Sequence, residues 1–308
     1  MEFKHLPVMF SECMEGLNIN PNGIYVDGTA GGGGHSFGIA SRLSEKGRLI
    51  CLDKDPDATC AAGERLRGFS NARVFLSDYS EIDIVLDGLR IEEVDGILLD
   101  LGVSSFQLDN AERGFSYHAD APLDMRMSKS GLSARDVVNT YSREALEKII
   151  RENSEERFAY RIAERITRER EKAPIETTMQ LAEIVSAAVP AFSKREKNPC
   201  KRTFQAIRME VNGELSHLSE ALDKCFDRLK PGGRLAIITF HSLEDRMVKE
   251  RFVTFATGCT CPPDFPICVC GKKPRGKLIT RKPITASEEE LKENRRSAGA
   301  KLRIIEKI

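Results

Sequence analysis

Short apolar segments alternate with longer amphipathic segments over the first hundred residues. Four apolar segments are rich in Ile, Val and Leu and are bounded by glycine or polar residues, as buried strands are: 23–27, 47–53, 72–76 and 94–100. Strands that alternate with helical segments in this way are typical of βαβ units and a parallel sheet. The pattern therefore predicts an α/β fold at the start of the chain.

The strand pattern stops after about residue 105 and returns near residue 203. Residues 106–202 contain a polar stretch and then charged, helix-type sequence, which predicts an inserted helical domain. We therefore predict one sheet domain, made of residues 1–105 and 203–308, that the insertion interrupts.

A long apolar stripe marks the return of the α/β pattern. Apolar residues recur at every third or fourth position from Phe204 to Leu229, which predicts one long amphipathic helix. The Pro-Gly-Gly at 231–233 ends it, and further strands are predicted at 234–240 and 301–305.

A glycine-rich segment, from Asp27 to Ser36, directly follows the first predicted strand and opens a helix. Such a turn lets a ligand approach bare backbone next to a helix N-terminus. The dinucleotide fingerprint is met only with Ala30 in its middle position, so NAD and S-adenosylmethionine both remain open. Asp53 ends the second strand where an acidic residue can accept hydrogen bonds from ribose hydroxyls, while Asp55 is expected to cap the following helix.

Two further features favour methyl transfer. The turn at 231–233 resembles the one before the fifth strand of Rossmann-like methyltransferases. Asp100 ends the fourth strand, where amino-methyltransferases keep the residue that meets the target nitrogen.

Longer segments carry a closer resemblance, which covers nearly the whole chain. They are His5–Val8, Asp27–Ser36, Asp95–Ser105, Ala111–Ser116, Pro122–Met127, Arg202–Arg208 and Phe240–Arg246. In these segments the chain resembles the bacterial 16S rRNA cytosine-N4 methyltransferases, the MraW family. The resemblance implies a Rossmann-like class I methyltransferase sheet and S-adenosylmethionine as cofactor. It also implies methylation of the exocyclic amine of one decoding-centre cytosine, with 16S rRNA in the small ribosomal subunit as partner. The cofactor contacts that it implies are Gly33, Gly34, His35, Asp53, Tyr79, Asp100 and Gln107.

The expected reaction needs a group that removes positive charge from the amine. A cytosine amine is a poor nucleophile, so the enzyme must align it with the methyl group and accept its proton or charge. Asp100 is the first candidate, and His241 and Glu244 are weaker ones. Each could be structural instead, Asp100 by holding the cofactor's methionine end and His241 by capping a helix. The sequence after Asp100 also lacks the two prolines and aromatic that usually follow in amino-methyltransferases.

Charge is segregated along a chain whose net charge is zero. Residues 1–100 carry 9 Lys/Arg and 17 Asp/Glu, and residues 201–308 carry 22 and 14. Such asymmetry is a known feature of proteins that contact nucleic acid. Six basic residues between 272 and 282, with no acid among them, are predicted to contact RNA phosphates: Lys272, Lys273, Arg275, Lys277, Arg281 and Lys282.

The chain contains nine cysteines. Its first residues lack the pattern of an export signal, and no apolar run is long enough to span a bilayer. We therefore expect a cytoplasmic protein with thiols or metal ligands instead of disulfides. Four cysteines form two Cys-x-Cys pairs that could bind zinc or lie in a Pro-stiffened loop, and no metal is assigned: Cys259, Cys261, Cys268 and Cys270.

Three alternatives remain open at this point. A carbon-5 cytosine methyltransferase needs a cysteine nucleophile, for which Cys200 is the candidate. A non-catalytic RNA-binding assembly factor would bind the cofactor without turnover, and an NAD dehydrogenase is a more remote possibility. The sequence implies no protein partner and does not indicate an oligomeric state.

Overall fold

The computed structural model describes residues 7–190, 199–258 and 270–308, except the side chains of Ser105 and Pro199. The chain divides into two compact units, which we call the sheet unit (Met1–Gly102 with Ser216–Ile308) and the helical unit (Val103–Leu215). The insertion proposed from the sequence, residues 106–202, lies within the range of the helical unit.

An eight-stranded sheet forms the centre of the sheet unit. Its order is β3-β2-β1-β4-β5-β8-β6, with β7 paired to β8. Strands β1 to β5 pair with one another in parallel, and β8 is antiparallel to β5, β6 and β7. The strands are β1 Ile24–Asp27, β2 Arg48–Asp53, β3 Ala72–Leu76, β4 Val94–Asp100, β5 Leu229–Thr239, β6 Gly276–Leu278, β7 Ile284–Thr285 and β8 Lys301–Lys307.

The six predicted strands are confirmed, and the α/β class with them. Strand order reverses between β1 and β4, and in open α/β sheets ligands bind beyond the carboxyl ends of the strands at such a reversal. The register places three acids there. Asp27 pairs with Cys51 and Leu98, so Asp53 and Asp100 each lie two residues beyond its partners at the same edge.

Helices cover both faces of this sheet. Side chains alternate along each strand, so that in β4 Ile97 and Leu99 join one buried cluster and Leu98 joins the other. The first cluster includes α4 (Ile82–Gly88), α11 (Glu214–Asp227) and α12 (Ser242–Ala256); the second includes α1 (Phe10–Leu17), α2 (Gly34–Ala40) and α3 (Pro56–Arg65). This is a three-layer α/β/α arrangement. A further helix, α13 (Glu288–Glu293), precedes β8.

The helical unit has its own apolar core, built from apolar faces spaced by three or four residues. Serine or threonine side chains cap four of its described helices, at Ser104, Ser133, Ser142 and Thr177. Its helices are α5 Ser105–Asp109, α6 Ala134–Thr140, α7 Arg143–Ser154, α8 Ala159–Arg170, α9 Thr178–Ala188 and α10 Pro199–Asn212.

The single long helix predicted from Phe204 to Leu229 is wrong. Two helices occupy this stretch, α10 and α11, and Gly213 separates them. Gly213 has a φ of +60°, a conformation that ends a helix and that glycine adopts without strain. Apolar spacing continues across the break, so periodicity alone could not reveal it.

Among the described residues, no helix combines the length and the apolar character that a membrane crossing requires.

Candidate active site

The glycine-rich turn between β1 and α2 is held by Asp27. This side chain is fully buried, and its Oδ1 accepts a hydrogen bond from Thr29 N at 3.2 Å while Oδ2 accepts one from Ser36 Oγ at 2.5 Å. Burial raises the pKa of Asp27 to about 6. Asp27 therefore fixes both ends of the turn without facing solvent.

Two glycines let the turn come close to its neighbours. At Gly28 an added Cβ would collide with the Leu99 side chain and lie 3.1 Å from Cβ of Tyr79. At Gly34, the first residue of α2, it would lie 2.5 Å from Cγ of Pro7. Gly33 caps α2 with a φ of +75°, a conformation that favours glycine. The segment therefore needs glycine for packing as well as for backbone conformation.

Asp53 connects this turn to the next one. Its Oδ2 accepts a hydrogen bond from Gly31 N at 2.8 Å, and its Oδ1 accepts one from Asp55 N at 2.8 Å. Burial raises the pKa of Asp53 to about 6. Asp55 caps α3 by accepting a hydrogen bond from Asp57 N at 3.0 Å, so the expectation that Asp55 is a helix cap is confirmed.

Tyr79 begins a 3₁₀ turn that follows β3. The preceding residue, Asp78, caps this turn by accepting from Ser80 N, and its Oδ2 contacts Lys54 Nζ at 3.2 Å and His217 Nδ1 at 2.9 Å. Burial of Asp78 opposes ionisation, but the hydrogen bond with His217 and the charge of Lys54 keep its pKa below the ordinary value. The aromatic side chain is thus carried by a firmly anchored turn.

Asp100 ends β4 beside the glycine-rich turn, where its backbone N donates to Thr29 Oγ1 at 2.6 Å. Its side chain is 24% exposed, yet Oδ1 is buried and has no hydrogen-bond partner within the described ranges. Its Oδ2 lies 3.6 Å from Nδ1 of His35. Burial, followed by the charges of Asp27 and Glu244, raises the pKa of Asp100 to about 8.

The two weaker catalytic candidates serve as a helix cap. His241 precedes α12, and its Nδ1 accepts a hydrogen bond from Glu244 N at 3.4 Å. Glu244 is buried, and its Oε2 accepts from Phe240 N at 3.0 Å. Since the Nδ1 lone pair of His241 is used by the cap, this ring is poorly suited to accept a proton from a substrate.

The sheet unit brings together six of the seven residues that the resemblance implies. Gly33, Gly34, His35, Asp53, Tyr79 and Asp100 all lie on its carboxyl-edge turns. Gln107 belongs to the helical unit, where its Oε1 accepts from Ser104 N at 2.9 Å in a capping box. The structural roles of Thr29 and Asp27 were not predicted from the sequence, although Asp27 ends its strand as Asp53 and Asp100 do.

This set of residues fits a cationic cofactor with a ribose. Three buried or half-buried carboxylates lie at one edge, and neither Asp27 nor Asp100 pairs with a Lys or Arg among the described residues. The unpartnered Oδ1 of Asp100 is an acceptor available to a ligand. A Cβ added at Gly32 would meet nothing within 4 Å, so the turn is open there.

Comparison with known sequences decides the family. The pattern of the MraW methylase family matches residues 2–308. The chain belongs to the MraW methylase family. It is therefore a methyltransferase, and S-adenosylmethionine, not NAD, is its cofactor.

Members of the MraW family resemble the chain over its full length. The Ribosomal RNA small subunit methyltransferase H of Lachnospira eligens is 55% identical, covering 100% of this chain and 99% of that protein. The Ribosomal RNA small subunit methyltransferase H 2 of Agathobacter rectalis is 57% identical with the same coverage. The protein of Clostridium botulinum strain Kyoto that shares the first name is 54% identical, with 100% of both chains covered.

The basic segment extends from the amino ends to the carboxyl ends of the parallel strands, so its six basic residues do not form one cluster. Gly276 pairs with Lys307, at the edge where β5 begins, so Lys272, Lys273 and Arg275 lie away from the carboxyl ends. Arg275 also forms an ion pair with Asp227. The chain then returns along β6, and β7 pairs with Leu302 and Lys301 opposite the end of β5. The members near the carboxyl ends of the parallel strands are therefore Arg281 and Lys282.

Three of the four clustered cysteines, Cys259, Cys261 and Cys268, lie outside the described residues. Cys270 is described and is partly exposed.

Proposed function

We propose that this methyltransferase transfers the methyl group of S-adenosylmethionine to N4 of one cytosine in the decoding centre of 16S rRNA. The names of relatives at 53–57% identity, ribosomal RNA small subunit methyltransferase H, support the rRNA of the small subunit as the substrate. Such a substrate places the enzyme in the cytoplasm. The observation that carries the chemistry is Asp100, a buried acceptor without a partner at the carboxyl end of β4.

In this proposal the carboxyl-edge turns bind the cofactor. Gly33, Gly34 and His35 offer backbone at the start of α2, Asp53 accepts hydrogen bonds from the ribose, and Tyr79 packs on the adenine. The bound cofactor supplies an electrophilic methyl group on a sulfonium.

Asp100 is the proposed catalytic residue. As a carboxylate it attracts the amine of the cytosine, whose nitrogen becomes positively charged as the new carbon–nitrogen bond forms. The proton that the amine loses then moves to Asp100, which burial, and then its two acidic neighbours, predispose to bind a proton. Because its pKa of about 8 lies close to neutral pH, Asp100 is suited to accept a proton there.

The experiment that tests the function is methylation of small subunits from cells that lack the enzyme, with tritium-labelled cofactor. Nucleosides from the product are then separated by mass spectrometry. N4-methylcytidine supports the proposal, and 5-methylcytidine contradicts it. No transfer to subunits, with cofactor binding intact, indicates the non-catalytic assembly factor.

The carbon-5 alternative has little support from the described cysteines. Cys200 is buried in the apolar core of the helical unit, where its Sγ contacts Ala182 O at 3.5 Å. Cys13 and Cys51 are buried in the sheet unit, and burial raises the pKa of both thiols. A nucleophile for carbon-5 chemistry must ionise, and the thiols of Cys13 and Cys51 resist ionisation.

Asp53→Ala should weaken S-adenosylmethionine binding about 10- to 100-fold, since a charged acceptor is worth roughly 1.5–3 kcal/mol. Calorimetry measures the affinity, and circular dichroism checks the fold. Asp55→Ala is the matched control: it removes the cap of α3 and should lower stability by about 1 kcal/mol while leaving affinity intact. Equal affinity of the Asp53 variant and the wild type would leave Asp53 with its two backbone contacts as its only role.

Arg281 and Lys282 are exposed near the carboxyl ends of the parallel strands, and we propose that they contact RNA phosphates. Neutralising both, as Arg281→Gln with Lys282→Gln, should raise KM for the subunit and lower its log–log salt slope by about 1.4–1.8. The control neutralises two exposed lysines at the opposite edge, Lys272 and Lys273. A control pair that changes KM as strongly as the test pair would place the RNA elsewhere.

A further inference from the structure

His35 is oriented by a contact outside the cofactor turn. Its side chain is buried, and Nε2 lies 3.0 Å from the carbonyl oxygen of Val8. A carbonyl oxygen can only accept, so Nε2 carries the proton of this hydrogen bond. Burial lowers the pKa of His35 to about 4, and the ring is therefore neutral at physiological pH. Its other nitrogen, Nδ1, therefore carries no proton and has a free lone pair.

That lone pair faces Asp100. Nδ1 lies 3.6 Å from Oδ2, just beyond hydrogen-bond distance, and the second carboxyl oxygen has no partner within the described part of the chain. Two acceptors facing each other in a buried setting repel when Asp100 is ionised. A proton on Oδ2 turns the contact into a hydrogen bond to Nδ1.

The acidic groups around Asp100 also favour its protonated form. Asp27 on β1 and Glu244 on α12 are acids whose charges oppose ionisation of Asp100. From α1, Cys13 is fully buried, and burial followed by the charge of Asp100 raises the pKa of its thiol. His35 is the neighbour that can accept a hydrogen bond from the acid form while remaining neutral.

We propose that His35 is a positioning residue for methyl transfer, because its bare Nδ1 accepts a hydrogen bond from Asp100 once Asp100 has taken the amine proton. The inference rests on the proposed function. In the step, the nitrogen–methyl bond forms as the sulfur–methyl bond breaks, and that electron pair stays on sulfur. The amine N–H bond breaks, its electrons stay on nitrogen, and its proton ends on Oδ2 of Asp100.

Two variants separate the two nitrogens of the ring. Glutamine at 35 can keep the donor that bonds Val8 O but lacks an acceptor at the position of Nδ1. Asparagine can keep an acceptor near Nδ1 but loses the bond to Val8. His35→Gln should therefore remove the contact with Asp100, whereas His35→Asn should retain it at some loss of stability.

The first readout is the pH dependence of single-turnover methylation of small subunits at saturating cofactor. Activity rises as Asp100 loses its proton. In His35→Gln the rise should move to lower pH by about one unit, and the rate at high pH should fall because Asp100 is a weaker base. His35→Asn should keep the wild-type midpoint. A purely structural role would lower the rate at every pH without moving the midpoint in either variant, and would overturn the proposal.

The second readout does not depend on turnover or on the identity of the methylated base. Infrared difference spectra, with Asp100→Asn as the blank, follow the carboxylic C=O stretch of Asp100 in cofactor-free protein. The band should be present at pH 7 in the wild type and should titrate at lower pH in His35→Gln. Absence of the band at pH 7 in the wild type would overturn the proposal, even if both His35 variants failed to fold.

Discussion

Replacing Asp100 by asparagine should lower kcat about 100-fold or more while the protein remains folded. A general base contributes about 100- to 10,000-fold to a proton-transfer reaction, and the amide can neither accept the amine proton nor carry negative charge. The substitution keeps the shape of the side chain and removes its repulsion with Asp27 and Glu244. Stability of the cofactor-free protein at neutral pH should therefore be equal to or higher than that of the wild type.

Separate measurements of turnover and affinity distinguish the two roles of this residue. Single-turnover rates give the chemical step, and calorimetry gives the affinity for S-adenosylmethionine. A large fall in rate with nearly unchanged affinity is the expected result. If affinity collapses and the rate at saturation survives, Asp100 holds the methionine end of the cofactor and another group accepts the proton.

Gly114→Ala should destabilise the helical unit by about 2 to 6 kcal/mol. Gly114 has a φ of +69°, and an added Cβ would collide with the carbonyl oxygen of Pro122 and lie 2.7 Å from the backbone N of Asp124. Both are backbone atoms, which cannot move aside as a side chain can. The substitution therefore combines backbone strain with a clash.

Gly131→Ala provides the matched control for that prediction. Gly131 has a φ of +80°, but a Cβ there would meet nothing within 4 Å. Its substitution should cost about 1 kcal/mol, from backbone strain alone. Urea denaturation of both variants measures the difference, and equal losses would show that the surroundings of Gly114 relax around the new methyl group.

The central sheet could be predicted because its strands are long, apolar and flanked by helical sequence. Strands β6 and β7 have three and two residues, too few for any periodicity to show. A glycine such as Gly213 can also lie within a helix, so the sequence did not show that a helix ends there. Its positive φ in the structure does. The hydrophobic pattern of the sequence thus predicts long helices and strands, but not very short strands or the exact point where a helix ends.

Candidate site residues could be proposed from the sequence, whereas their contacts could not. The aspartates that end β1, β2 and β4 could be aligned from strand positions alone. The orientation of His35 depends on Val8, 27 residues away, and the pKa of Asp100 depends on Glu244, which the helical unit separates from it in sequence. Such tertiary neighbours leave no spacing in the sequence. The capping contact of His241 with Glu244, by contrast, is local, and the sequence had offered it as the structural alternative.

Strand β5 is synthesised well before β8, the strand that pairs with it. This strand is the last in the chain, yet it pairs with β5 over six residues, Arg234 to Thr239, in the interior of the sheet. A nascent chain that has already released β1 to β5 still exposes the unpaired edge of β5 until β8 emerges. A premature stop before Lys301 would leave that edge open to pairing with other chains. Truncated products of this gene should therefore aggregate instead of accumulating as partly active enzyme.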